Sequence, residues 1–560
     1  MPEIRILPDN IVISAEKGRR LLDVLRENNI FVNSLCGGMG WCRKCKVKIK
    51  RGNIDRVELA CQLFIKDDLT IELLEENVSF RILSDFTLKR NINLDPIIKL
   101  EPFSLPPPNL EDQRSDLERI LSFNKNIFLK RLDLLRKIPL FLRRNDFKGK
   151  FVCYENNEII DLVEREFEKP YGVAFDIGTN TLVGYLLDLK EGKEVGIITQ
   201  VNPQVEYGVD ILSRVNYIIS EKDGIEILRE KIIKTLEYMI NKLCKRSMVN
   251  PKDIYAISVA GNPTMEHIFL GITPQFIAVS PFIPIVDLGM TFDAFEVGFS
   301  KSKNAKVYVF PNISGYVGGD IIAGILSTNL WQEEGNVLFV DIGTNSEIVL
   351  KSRKGMFACA TAAGPAFEGG RITYGMVAKE GAIDRVWVEE NKVVYSVIGE
   401  KEEKGICGSG IADAISIMLD LGIIDRTGRF VKNEDFALGK IKITQKDIRE
   451  IQLAKSAIRA GIEILLKEAE ITSENIDKIF LAGALGNYLR RESAVKIGLL
   501  PSVDIDKIIY VGNSAGMGAE ILLLDKNYRE LADKIAKEVN YIELSAKKEF
   551  QNYFVEYMHF

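Results

Sequence analysis

Histidine is nearly missing from this chain: His267 and His559 are the two in 560 residues. That scarcity argues against catalysis built on imidazole bases and leaves carboxylates, a metal or a redox centre to do the chemistry. No run of eighteen apolar residues occurs, so no membrane-spanning helix is expected. An excess of either charge is lacking too: 74 Lys and Arg against 79 Asp and Glu leave a net −5, which gives no reason to expect nucleic acid. The opening residues, MPEIRILPDN, lack the charged-then-apolar order of an export signal. The eight cysteines are therefore expected in a reducing, cytoplasmic setting without disulfides. Composition is otherwise globular, 46% hydrophobic and 27% charged, and the length suggests about three or four domains.

Four of the cysteines cluster. Cys36, Cys42, Cys45 and Cys61 are spaced C-x5-C-x2-C-x15-C, the first three in CGGMGWCRKC. Four thiolates hold a 2Fe–2S cluster, and plant-type ferredoxins use a similar spacing with a first gap one residue shorter. Gly37, Gly38 and Gly40 suit a tight loop that turns backbone N–H groups toward sulfur. A zinc site would more often pair two CxxC knuckles, and only Cys42–Cys45 makes one. Plain packing would not gather cysteines in a Gly-rich loop. Cys153, Cys244, Cys359 and Cys407 stand alone and read as small buried hydrophobes.

Around the cluster loop, residues 4–14 read as a hairpin turning at Pro8-Asp9-Asn10, and 18–29 as an amphipathic helix with Leu21, Leu22, Val24 and Leu25 on one face. CKVKIKRG alternates, Val47 and Ile49 inward against Lys46, Lys48 and Lys50, and LTIELL at 69–74 is a further strand. This order resembles the β-grasp ferredoxin fold over residues 1–84. Lys44, Lys46, Lys48, Lys50 and Arg51 read either as a docking face for an acidic redox partner or as a solvated sheet edge. Residues 85–114 are expected to be a linker, because EPFSLPPPNLED at 101–112 holds four prolines and favours a semi-rigid polyproline spacer. A small middle domain is expected over 115–168, helical to 145 and then a hairpin around Asn156-Asn157.

From 169 to 560 the pattern is that of an α/β domain with two lobes. YGVAFDIGTNTLVGYLLDL and LFVDIGTNSEIVLK each run strand, Gly turn, strand, and both contain the pentapeptide DIGTN. Asp176, Gly178, Thr179, Asn180 and Thr181 mark the first copy; Asp341, Gly343, Thr344 and Asn345 mark the second. Amide nests and hydroxyls in such turns cradle phosphates, and strand-end carboxylates suit Mg2+, which keeps several waters. One copy alone would be a plain hairpin turn; two facing one cleft point to ATP. Gly483, Ala484 and Gly486 in the strand-to-helix turn IFLAGALGNYL leave backbone for an adenine or ribose to lie against, or are simply a turn. Gly364, Pro365, Glu368 and Gly369 in AAGPAFEGG border the expected phosphates, and CGSGIADAI is another Gly-rich loop. Asp320 in GGDIIAGIL either orients an attacking water or caps its helix, with the cap favoured. Phe550, Tyr553, Phe554 and Tyr557 share one helical face and read as a docked terminal helix or a subunit contact.

The paired DIGTN hairpins and the GALG turn resemble the acetate and sugar kinase, heat-shock and actin superfamily over about residues 171–518. With a ferredoxin-like domain, Pro-rich spacer and small middle domain in front, the whole chain resembles one family, the ATP-dependent reductive activators of corrinoid proteins. That resemblance implies an enzyme that takes an electron from a low-potential donor, such as a ferredoxin or flavodoxin, onto its 2Fe–2S cluster. The electron then reduces Co(II) to Co(I) in a corrinoid partner protein, with ATP as fuel. It also implies a homodimer formed through the C-terminal domain. Three rivals stay open: the activators of 2-hydroxyacyl-CoA dehydratases, which lack the ferredoxin domain; an ATPase sensor or chaperone that transfers no electron; and a small-molecule kinase.

Overall fold

A computed structural model describes the chain except residues 8–10, 29, 31–44, 52–53, 74–92, 156, 433 and 487. In the N-terminal part, Glu3–Leu7 pairs antiparallel with Ile11–Ser14 and parallel with Leu69–Leu73. Lys46–Arg51 sits between Leu69–Leu73 and Ile54–Leu59. The helix Leu21–Glu27 lays Leu21, Leu22, Val24 and Leu25 on this five-stranded sheet, where Ile4, Ile6, Val47, Ile49 and Ile71 meet them. This is the β-grasp arrangement expected. The lysine strand, however, is interior to the sheet and not an edge. Its charges are met across strands: Lys48 pairs with Asp55 at 2.7 Å and Lys50 with Glu72 at 3.1 Å.

The prolines of 101–112 do not form a free spacer. Pro102 lies in the strand Ile98–Ser104, which pairs antiparallel with Lys148–Tyr154. That strand is at the sheet edge, where a missing N–H is tolerated. Beyond it, buried Arg119 donates to the Pro106 carbonyl at 3.2 Å and to Asp112 at 2.5 Å, fastening the segment to the helix Asp116–Phe123. A third strand, Glu158–Val163, completes a sheet covered on one face by that helix and by Leu132–Arg144. Strand alternation decides the rest. Phe151 and Cys153 face the helices, while Val152 and Tyr154 face the large α/β core. The small middle unit is thus packed onto the two-lobed C-terminal part of the chain.

Residues from Tyr171 onward build two lobes on the same plan. In the first, Tyr171–Ile177 turns back through Thr181–Asp188 and lies parallel to Ile254–Gly261. In the second, Val337–Asp341 turns back through Ser346–Ser352 and lies parallel to Lys478–Ala482. Both six-stranded sheets carry their DIGTN turn where antiparallel hairpin meets parallel neighbour, at the carboxyl ends of strands, where ligands of open α/β sheets bind. Two helices cross between the lobes. Gly319–Thr328 leaves the first lobe for the second, and Ser514–Leu524 follows the second lobe's strand Ile508–Gly512 and packs on the first lobe's sheet. They approach very closely: a Cβ added at Gly518 would stand 2.1 Å from the Ala323 carbonyl oxygen.

Cys153, Cys244, Cys359 and Cys407 are buried free thiols, as expected. The C-terminal helix Lys548–Glu556 docks on the long helix Gln445–Glu468 and packs Phe550 and Tyr553 on the second lobe's core. Lys455, Gln452 and Ser456 donate to the carbonyls of His559, Met558 and Tyr557. Among the described residues no helix is long and apolar enough to cross a membrane.

The crossing at Gly518 has no space for a methyl group, and overpacking a rigid core costs about 1–3 kcal/mol. Gly518→Ala is expected to lower the midpoint of thermal unfolding by several degrees, read by calorimetry. An unchanged midpoint would show that the two helices can part without cost.

Candidate functional site

The two DIGTN turns meet across the cleft between the lobes. The Asn180 amide donates to Glu368 Oε2 at 3.0 Å and lies 3.4 Å from Thr344 Oγ1. Thr344 Oγ1 donates to the same Glu368 oxygen at 2.8 Å. Each turn is braced from behind. Gly178 N donates to the Thr181 carbonyl at 3.0 Å, closing the first turn. Asn202 donates to the Gly178 carbonyl, Asn262 to Thr179 Oγ1 at 3.1 Å, and buried Arg214 to the Thr179 carbonyl. In the second, Gly364 N donates to the Thr344 carbonyl at 3.0 Å. Pro365 opens the short helical turn that ends at Glu368, and Gly369 follows it with φ +82°.

Three carboxylates form the cleft floor. Asp176 and Asp341 lie at the ends of their strands, and Asp320 stands in the first turn of Gly319–Thr328. Burial pushes Asp176 up to about 7, with repulsion from Asp320 added. It pushes Asp341 up to about 7, with Asp320 and Asp176 added. Burial raises Asp320 to about 6 against the pull of backbone N–H groups at Gly318, Asp320 and Ile321. Glu347, in the strand that leaves the second DIGTN turn, is raised well above its ordinary value by burial and then by Asp320 and Asp341. Among the described residues no lysine or arginine is one of the groups acting on these four. Each of the three aspartates keeps part of its surface open to the cleft. The set is therefore suited to a cation that arrives from solution. Among the described residues no three acidic, His or Cys side chains converge closely enough to ligate one metal directly.

Asp320 does not cap its helix. Gly318 holds the cap position, and the Asp320 carboxylate accepts from the Ile321 amide at 2.9 Å while facing the other aspartates. The preceding Gly-Gly pair places the helix start earlier than a capping aspartate would require. On the far side of Asp341, Gly483 has φ +86°, and a Cβ there would come 2.5 Å from Asp341 Oδ1. Backbone alone fits this place. Gly486 packs on Leu481, one turn farther on, and Ala484 shares the turn Gly483–Gly486. Asn345 stands with Gly343 and Thr344 in the second turn.

Several site residues carry no signal in the sequence that marks them as such. Asn513 donates to Asp176 Oδ2 at 3.0 Å and caps Ser514–Leu524 through Gly516 N. Asn262 stands at the first lobe's counterpart of the GALG turn, directly after the parallel strand Ile254–Gly261. Superimposing the two halves of the repeat would have pointed to it.

In the N-terminal domain, Cys36 and Cys42 lie outside the described residues. Cys45 and Cys61 are buried together, the Cys61 amide directed at Cys45 Sγ at 3.4 Å. Arg20 lies within electrostatic reach of both sulfurs. A backbone amide directed at one of two buried sulfurs, with the Arg20 guanidinium nearby on Asp23, fits the surroundings of an iron–sulfur centre, whose potential such neighbours tune.

Comparison with known proteins agrees with this layout along the whole chain. Residues 4–68 match the 2Fe-2S iron-sulfur cluster binding domain, 87–169 the RACo linker region, 171–333 the RACo middle region, and 335–560 the ASKHA domain that forms the C-terminal domain of RACo. The corrinoid activation enzyme RamQ of Eubacterium limosum is 31% identical over 97% of this chain and 96% of its own. The chain belongs to the RACo family of corrinoid-protein reductive activators. A further relative, the [Co(II) methylated amine-specific corrinoid protein] reductase of Methanosarcina barkeri, is 28% identical over 69% of this chain and 76% of its own. Among solved structures, a reductive activator for corrinoid, iron-sulfur protein superposes with a TM-score of 0.76 at 33% identity, covering 100% of this chain and 98% of that one. The family assignment carries with it a 2Fe–2S domain and an ATP-binding ASKHA domain.

The raised aspartates make stability depend on pH with a definite sign. In unfolded chains they titrate near 3.9, so between about pH 4 and pH 7 the folded chain binds protons that the unfolded chain has released. Stability from these groups is present at low pH and lost as pH rises to about 7. Without nucleotide, the protein is expected to lose about 1 kcal/mol or more between pH 5 and pH 8 from this source. Asp320→Asn should flatten that loss, as measured by thermal unfolding at the two pH values.

Proposed function

We propose that this chain uses ATP to drive one-electron reduction of the Co(II) corrinoid of a partner protein to Co(I). The supporting observation is that one polypeptide joins a ferredoxin-type sheet carrying a buried thiol pair to two lobes whose DIGTN turns meet. Cys36, Cys42, Cys45 and Cys61 would hold the 2Fe–2S cluster, which supplies a one-electron carrier loaded by a low-potential donor such as a ferredoxin or flavodoxin. Plant-type clusters lie near about −400 mV, and the Co(II)/Co(I) couple of a bound corrinoid is generally lower. Each ~59 mV uphill costs tenfold in equilibrium, so the reduction needs a second source of drive.

The cleft is where ATP supplies it. Gly178, Thr179, Asn180 and Thr181 would face the phosphates from one lobe, and Gly343, Thr344 and Asn345 from the other, with Gly364, Pro365 and Gly369 at the border. Gly483, Ala484 and Gly486 leave backbone for the nucleoside. Asp176 and Asp341 would hold Mg2+ through its waters, from opposite lobes, and Asp320 would orient the attacking water. Closing the lobes around ATP changes the surface offered to the corrinoid partner. A ligand shifts an equilibrium only through different affinities for its two states, and a hinge between lobes provides two such states. The working unit is a homodimer joined through the C-terminal domain, acting in the cytoplasm.

Asp341→Ala is expected to slow reductant-driven Co(I) formation with ATP by at least tenfold, while the visible spectrum of the cluster stays unchanged. Undiminished Co(I) formation, followed by its absorbance, would break the proposed coupling. ATP turnover without any effect of a corrinoid protein would favour a sensor instead.

A further inference from the structure

Glu368 occupies the place where a phosphate is expected. Its Oε2 receives the Thr344 hydroxyl at 2.8 Å and the Asn180 amide at 3.0 Å, one donor from each DIGTN turn. A carboxylate oxygen and a phosphate oxygen are both acceptors, and both want these donors. They are also both anions, so they do not share the cradle without a cation between them. The side chain is carried on the short turn Pro365–Glu368, set between two glycines in the left-handed region, Gly364 at φ +76° and Gly369 at φ +82°. The Gly364 end has open space around it, with nothing within 4 Å of an added Cβ. The Gly369 end rests on Met376, whose amide nitrogen would be 2.5 Å from an added Cβ.

We propose that Glu368 is a built-in ligand of the phosphate cradle, bridging the lobes until a nucleotide polyphosphate displaces it. This rests on the nucleotide-cleft reading above and adds a regulatory role within it. Glu368 then opposes binding, whereas a residue that merely lines a phosphate site assists it. Displacement swings the 365–368 turn about Gly364 and presses on Met376 and the exposed Tyr374 and Val377 beyond it, so nucleotide occupancy is reported on the second lobe's surface. The bridge lowers apparent affinity by the fraction of molecules in which it is closed.

Titration calorimetry of the full-length protein with Mg2+ and a non-hydrolysable ATP analogue reads the sign. Glu368→Ala is expected to bind the analogue about tenfold more tightly than the unmodified chain. Glu368→Gln keeps the shape and removes the charge, so it should bind several-fold more tightly and guards against a folding defect in the alanine variant. Weaker or unchanged binding in both variants overturns the proposal and returns Glu368 to the role of a phosphate-site lining residue. Absence of binding by the unmodified chain is a separate result that removes the cleft reading itself.

Discussion

Asp176, Asp320 and Asp341 repel one another across the cleft floor, and no described lysine or arginine offsets them. Everything near them accommodates that constraint. Backbone N–H groups at the start of Gly319–Thr328 face one carboxylate, Asn513 holds another, and Gly483 brings bare backbone against the third. Carboxyls crowded in this way share protons or await a cation. Under the proposed function an ATP–Mg2+ complex would bring positive charge to the floor and negative charge to the turns above it, so one ligand would suit both. The cleft is poised for binding because its own charges are set against one another.

The duplicated architecture explains why so much of this site is legible in the chain. A DIGTN pentapeptide is local: aspartate, glycine and threonine are brought together by one turn, and the second copy repeats the geometry. The cysteine spacing is local in the same sense. The hidden residues are supplied by distant chain. Asn513 reaches Asp176 from 337 residues away, and Arg214, Asn202 and Asn262 brace the first turn only because a helix starts and two strands end beside it. Asp320 is visible as an acidic residue at a helix start, yet its role turns on whether the helix begins at Gly318 or two residues later. Glu347 sits in plain view after the second pentapeptide, but nothing in the sequence says that its strand runs into the interior beside Asp341.

The proline-rich stretch shows the limits of composition. Four prolines in twelve residues suggest a spacer, and in isolation that is how such a chain behaves. Here Pro102 occupies an edge position that asks for no N–H, and Arg119 gathers the carbonyl of Pro106. Tertiary contacts turn a stiff segment into part of a sheet. The lysines at 46, 48 and 50 mislead in the same way: alternation shows which face they occupy but not that neighbouring strands carry the matching acids.

That fastening extends upstream of the prolines. Asp95 N donates to the Leu524 carbonyl and Ile97 N to that of Leu523, so the arriving chain is pinned to the end of the helix Ser514–Leu524. The opposite end of this helix carries Asn513, in contact with Asp176. The anchor is therefore at Asp95, upstream of every proline in the 101–112 stretch, and about 16 Å of helix separates it from the cleft. One helix thus ties the entry of the middle unit at one end to a cleft carboxylate at the other, so a shift along its axis moves both.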